Sequence, residues 1–201
     1  MPALSSAEMR IAHSPRQTTN HAGLTVWFTG LSAAGKSTLS QAVAVELDAL
    51  GFRTELLDAD DLRKHLKRDL GFSKADRDEN VQRIAYVASL LTRHGIIVLV
   101  AAISPYRAAR AEARRLTGAF AEVYVDAPLA VCQARDPIGL YRRLRAGELH
   151  HIAGVDDPYE EPLTPELHCR THEESIAQSV AHIVALVQRL TRQPQSGTGC
   201  A

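Results

Sequence analysis

Cysteine is scarce in this chain of 201 residues: Cys132, Cys169 and Cys200 stand far apart and form no C-x-x-C pair. That spacing excludes a disulfide framework and points to a reducing compartment, the cytoplasm, with Cys132 expected as a buried, inert thiol. No apolar run approaches the roughly 20 residues needed to cross a bilayer. Residues 1–22 lack the apolar centre of a secretory signal, so neither membrane nor export is expected. Net charge is absent too, with 23 Lys plus Arg against 23 Asp plus Glu. Nothing therefore draws the whole molecule to nucleic acid, and any anion site must be local. The nine histidines show no zinc-type spacing, and no internal repeat is visible. At 45% hydrophobic residues, the chain suits one globular domain of ordinary size.

One stretch organises the rest. Gly30-Leu31-Ser32-Ala33-Ala34-Gly35-Lys36-Ser37-Thr38 follows the apolar run 24–29 and precedes the amphipathic run 39–47. Strand, glycine turn and helix in that order are the context that makes G-x-x-x-x-G-K-[ST] a phosphate loop. Gly30 and Gly35 let the backbone curl so that N–H groups face inward, and the helix start adds its positive end. Lys36 can reach the outer phosphates of ATP, and the Ser37 hydroxyl can ligate Mg²⁺.

Residues 1–22 carry no periodicity and read as a loose leader, residues 192–201 as a tail, and 23–191 as the domain. Within it, strands are expected at 53–57, 96–102, 120–125 and 167–171. Helices are expected from Asp76 to Gly95, after Pro105 to about Leu116, and from about His172 to Leu190. Thr171 and Glu174 fit a capping box for the last helix, whose apolar face would hold Ile176, Val180, Ile183, Val184 and Val187. Pro128 suits a first helical position. The alternation predicts an α/β fold with a parallel sheet, with ligands at the carboxyl ends of the strands, where Gly30, Asp58, Ser104 and Asp126 fall. Residues 135–165, rich in Arg, His, Pro and Gly, read as a mobile lid or a solvated excursion.

Phosphoryl transfer needs a cradle, a metal and a positioned acceptor. Asp58 and Asp60 flank Ala59 at a strand end beside the loop. One can hold Mg²⁺ through water while the other takes the acceptor's proton; helix capping is the structural alternative. Arg63, Arg77 and Arg107 follow strand ends on separate segments, as an anionic acceptor would require. Asn80 shares a helix face with Arg77, and Phe72, in a loop, can stack on a base or simply pack.

A run of further motifs carries a resemblance. Leu57-Asp58-Ala59-Asp60, Asp69-Leu70-Gly71-Phe72-Ser73, Asp76-Arg77-Asp78-Glu79-Asn80, Ile103-Ser104-Pro105-Tyr106-Arg107, Asp126-Ala127-Pro128-Leu129, Arg135-Asp136-Pro137, Gly139-Leu140-Tyr141 and Gly154-Val155-Asp156-Asp157-Pro158-Tyr159-Glu160 stand in the order seen in adenylyl-sulfate kinases. The chain resembles that family over roughly residues 23–190. The resemblance implies a P-loop kinase fold with a five-stranded parallel sheet and a mobile lid. It also implies transfer of the ATP γ-phosphate to the 3′-hydroxyl of adenosine 5′-phosphosulfate, in a cytoplasmic homodimer. By the same likeness, Gly30, Ser32, Ala33, Ala34, Gly35, Lys36, Ser37, Thr38 and Arg135 would hold ATP, and Ser37 and Asp60 would hold Mg²⁺. Lys36, Asp58 and Asp60 would be catalytic. Asp60, Arg63, Phe72, Arg77, Asn80, Ile103, Ser104, Arg107 and Ile152 would line the acceptor site. The chain departs from the family pattern at Ala33 and Ala59 (usually Gly), Asp61 (Asn), Gln82 (Arg), Ile138 (Lys) and Ile152 (Phe). Two other readings fit the residues: a kinase of the same fold with a different anionic nucleotide acceptor, or a nucleotide-binding module without turnover.

Overall fold

Strand β1, Leu24–Thr29, is buried on both faces, and its alternation decides how the layers form. Leu24, Val26 and Phe28 enter one core with Leu39, Val43 and Leu47, while Trp27 enters a second core with Ile84, Ala88, Ala109 and Ala113. A strand covered on both sides belongs in the middle of a parallel sheet. In the computed structural model, which describes residues 21–66 and 70–192 (the side chains of residues 63–66 excepted), five parallel strands run in the order β2-β3-β1-β4-β5. The others are β2 Thr54–Asp58, β3 Ile97–Ala101, β4 Phe120–Asp126 and β5 Leu167–Arg170. The predicted leader and tail lie almost wholly outside the described residues.

Helices cover both faces. α1 (Lys36–Ala49) and α7 (Ile176–Thr191) pack together on one side, and α3 (Lys74–Arg93) and α4 (Arg107–Thr117) on the other. Shorter helices α2 (Ala59–Leu66), α5 (Leu129–Arg135) and α6 (Leu140–Arg145) follow strand ends or lie in the 135–165 segment. The chain places β2 and β3 to one side of β1 and then crosses to β4 on the other. This reversal opens a crevice at the carboxyl end of β1, where the glycine turn sits. No described helix is long and apolar enough to cross a membrane.

Three helix starts differ from the sequence reading. α3 begins at Lys74, because the Ser73 hydroxyl accepts from the Asp76 N–H while the Asp76 carboxylate accepts from the Ser73 N–H. Asp76 is thus the third residue of the helix and its reciprocal cap, not its opener. Pro128 caps α5 from outside rather than opening it. The predicted box of Thr171 and Glu174 does not form. Thr171 donates its hydroxyl to the Ala34 carbonyl at 2.7 Å, and Glu174 accepts from the Arg170 N–H and the Ser179 hydroxyl. α7 starts four residues later than expected, where Ser175 and Gln178 form the capping box. Ser175→Ala should therefore cost about 1 kcal/mol and lower the midpoint of thermal unfolding by roughly 3 °C. Calorimetry on the two proteins measures it.

Candidate active site

The glycine turn meets its neighbours closely. A Cβ on Gly30 would lie 2.1 Å from the Val125 carbonyl oxygen, so only glycine lets β4 approach there. Beyond Gly30 every carbonyl as far as Gly35 has a donor. Lys36 donates to the Gly30 and Leu31 oxygens at 3.0 and 2.7 Å. Tyr141, from the 135–165 segment, donates its hydroxyl to the Ser32 oxygen at 2.9 Å. Arg135 donates to the Ala33 and Ala34 oxygens, and Thr171 to Ala34 as well. The Gly35 carbonyl takes the Leu39 N–H and starts α1. With the carbonyls engaged, the peptide N–H groups other than that of Ala34, which donates to the Leu31 carbonyl at 3.2 Å, are left for an anion.

The turn opens into a cavity of about 670 Å³. Ser32, Ala33, Gly35, Lys36, Ser37 and Thr38 of the turn line it, as do Phe72, Arg77, Asn80, Ile103, Ser104 and Pro105, and Asp58 and Asp60. The Ser37 hydroxyl donates to Asp58 Oδ2 at 2.6 Å, and Asp58 Oδ1 accepts the Asp60 N–H at 2.9 Å. Asp58 is therefore the carboxylate that meets Ser37, whereas the sequence reading paired Ser37 with Asp60. The two hard oxygen donors suit a divalent cation bound mainly by phosphate and water. No cluster of three metal-ligating side chains occurs among the described residues.

Of the residues expected at the acceptor, Asn80 is 6% exposed and Phe72 47% exposed, and both line the cavity. Arg77 donates to the Phe72 carbonyl at 3.0 Å, to the His151 carbonyl, and to Asp157 at 3.2 Å. It thus joins the cavity lining to the 135–165 segment. Two expected residues do not line the cavity. Arg107 turns to the Glu161 carbonyl at 2.6 Å, and Ile152 packs against the core on the α1 and α7 side. Ser104 lines the cavity, but its hydroxyl accepts from the Trp27 indole at 2.9 Å and holds an internal chain of bonds. The side chain of Arg63, on α2, lies outside the described residues.

The family model described as Adenylylsulphate kinase matches residues 22–170. The chain belongs to this family. It is 61% identical to the adenylyl-sulfate kinase of Synechococcus sp. strain JA-3-3Ab over 79% of its own length and 90% of that protein. It is 59% identical to that of Synechococcus sp. strain JA-2-3B'a(2-13), over 81% and 93%. A Mycobacterium tuberculosis APS kinase in complex with AMPPNP and APS superposes with a TM-score of 0.80, at 44% identity, covering 83% of this chain and 98% of that one.

Within the adenylyl-sulfate kinase framework, several residues that line or shape the site escaped the sequence reading. Ile176 was expected in the core, yet it is 56% exposed and lines the cavity with Glu174 and Ser179. Tyr141 appeared only as part of a motif, and no local pattern announces which carbonyl it caps. Gly154 is the clearer case. A Cβ there would meet Leu31 at 2.4 Å, so the 135–165 segment closes directly on the turn.

Ala33, at a position where the family pattern has glycine, adopts a left-handed backbone with φ 60°. That conformation costs a residue with a Cβ about 1 kcal/mol. Ala33→Gly should raise stability by about that amount in urea unfolding.

Lys36 is partly buried among loop atoms, and this desolvation pushes its ammonium pKa down to about 8, with Asp60 and Asp58 offsetting part of it. A polyphosphate beside it would raise that pKa again. Between the two values, binding must take up a proton. ATP affinity is therefore expected to be level below pH 8 and to fall as pH rises above it. Titration calorimetry in buffers of different ionisation heat should show proton uptake at pH 8.5 and little at pH 6.5.

Proposed function

We propose that the chain transfers the γ-phosphoryl group of ATP to the 3′-hydroxyl of adenosine 5′-phosphosulfate. The observation that carries this is one cavity lined both by the phosphate turn and by an aromatic ring, a guanidinium and a buried carboxamide. The family relationship supports the same choice of donor and acceptor.

In this reading the N–H groups of the turn and of the start of α1, that of Ala34 excepted, take the β- and γ-phosphates, and Lys36 leaves the Gly30 and Leu31 carbonyls to follow the charge. Arg135, at the cavity wall beside Thr171, borders the base of ATP. Ser37 and Asp58 would hold Mg²⁺, which neutralises phosphate charge when bound. Asp60, in the first turn of α2 beside this pair, would accept the 3′-hydroxyl proton as that oxygen bonds to phosphorus. The bond from phosphorus to the bridging oxygen breaks, leaving ADP. Phe72 stacks on the acceptor's adenine, while Arg77 and Asn80 hold its anionic and ribose parts.

Residues 135–165 serve as a lid, fastened through Tyr141 to Ser32, through Gly154 to Leu31, and through Arg77 to Asp157. Lifting it admits both nucleotides, and closing it excludes water from the transfer. The buried, unpaired thiols of Cys132 and Cys169 suit a cytoplasmic protein. Assembly as a homodimer rests on the family likeness alone.

The test is direct. Purified protein with ATP, Mg²⁺ and adenosine 5′-phosphosulfate should form ADP and 3′-phosphoadenosine 5′-phosphosulfate one for one. Lys36→Ala should lose at least 100-fold in turnover while keeping a cooperative melt, because the Ser32, Ala33 and Ala34 carbonyls keep their donors. Faster transfer to another nucleotide or to an uncharged alcohol would overturn the assignment.

A further inference from the structure

Arg110 sits on α4, outside the cavity, yet it is only 3% exposed. Its guanidinium is spent in three directions. Nε meets Glu122 on β4 at 2.6 Å, one terminal nitrogen donates to the Ser104 carbonyl at 2.7 Å, and the other to the Glu160 carbonyl at 2.7 Å. Ser104 is one of the few residues with a Cβ held at positive φ, 41°, and with Ile103 and Pro105 it shapes the acceptor wall. Glu160 belongs to the end of the 135–165 segment. Its N–H donates to the Pro105 carbonyl at 2.8 Å, and its carboxylate accepts the Arg107 N–H at 2.8 Å. Tyr159 adds a hydroxyl contact to Thr29 at 3.0 Å.

A few residues earlier the partners change. Asp157 is bound by Arg77 and by the N–H of Gly154, which lies against the phosphate turn. The segment therefore divides at Pro158. Residues before it are fastened to Arg77 and the turn, and residues after it to the loop leaving β3. We propose that Arg110 is a positioning residue for the acceptor. It locks the strained Ser104 turn and the root of the lid into one rigid wall, so that the lid pivots at Pro158 without disturbing the acceptor site. A planar guanidinium can serve a carboxylate and two carbonyls on three sides, and the compact ammonium of lysine cannot.

The substrate readout rests on the kinase reading, so the test has two arms. In the first, Arg110→Lys keeps the charge opposite Glu122 but loses the bridge. The acceptor KM should rise at least tenfold, with the ATP KM within twofold and a cooperative melt retained. Unchanged values for both substrates, or an equal rise in both, would overturn the proposal. The second arm uses the wild-type protein without substrate and holds even where the variant fails to fold. By amide hydrogen exchange, the Glu160 N–H should be protected in step with the Arg107 N–H, and far better than those of Gly154 and Asp157. Exchange of Glu160 in step with Gly154 and Asp157 would sink it. If the wild-type protein fails to phosphorylate adenosine 5′-phosphosulfate, the kinase reading falls while the exchange result still decides the clamp.

Discussion

The structure depends on keeping a six-residue turn facing inward. An unsupported turn would direct some carbonyl oxygens at the same space as its N–H groups and cancel the positive field that draws phosphate. Here the carbonyls of Gly30, Leu31, Ser32, Ala33 and Ala34 are each engaged by a side chain, from Lys36, Tyr141, Arg135 or Thr171. Three of those four donors come from more than a hundred residues further along the chain. Sheet order brings them near: β4 lies beside β1, and β5 beside β4, so the segments leaving both strands return over the turn.

Lys36 joins this support to the chemistry. Its ammonium caps two of the turn's carbonyls, at the cost of desolvation. Ser37 and Asp58 are likewise paired with each other. These contacts hold the side chains of the turn in fixed positions before any ligand arrives. Other residues lining the cavity follow the same plan, since the hydroxyl of Ser104 and the guanidinium of Arg77 are both committed within the protein.

Much of this was legible in the residues. The strand–turn–helix at 24–47, the both-sides-buried strand near 97–101 and the end of β4 follow from apolar patterning, which is local. The motif residues Phe72, Arg77, Asn80 and Ile103 do share one cavity. Polar side chains with several equally good partners were less legible. Thr171 reads as a helix cap because Glu174 stands three residues on, but the Ala34 carbonyl, 137 positions away in sequence, takes its hydroxyl. Arg107 reads as an acceptor ligand because it follows a strand end, but the Glu161 carbonyl claims it. Ile152 is apolar, and the core claims it.

The amino-acid order alone determined the kind of fold, the phosphate turn and the family pattern. All three are set by backbone freedom at glycine, by hydrophobic period and by the spacing of motifs along the chain. Tertiary structure decided which carboxylate meets Ser37, which arginines face the cavity, and where the 135–165 segment is anchored. Those choices are competitions among hydrogen-bond acceptors far apart in sequence, and only the folded arrangement of strands sets which one lies within 3 Å.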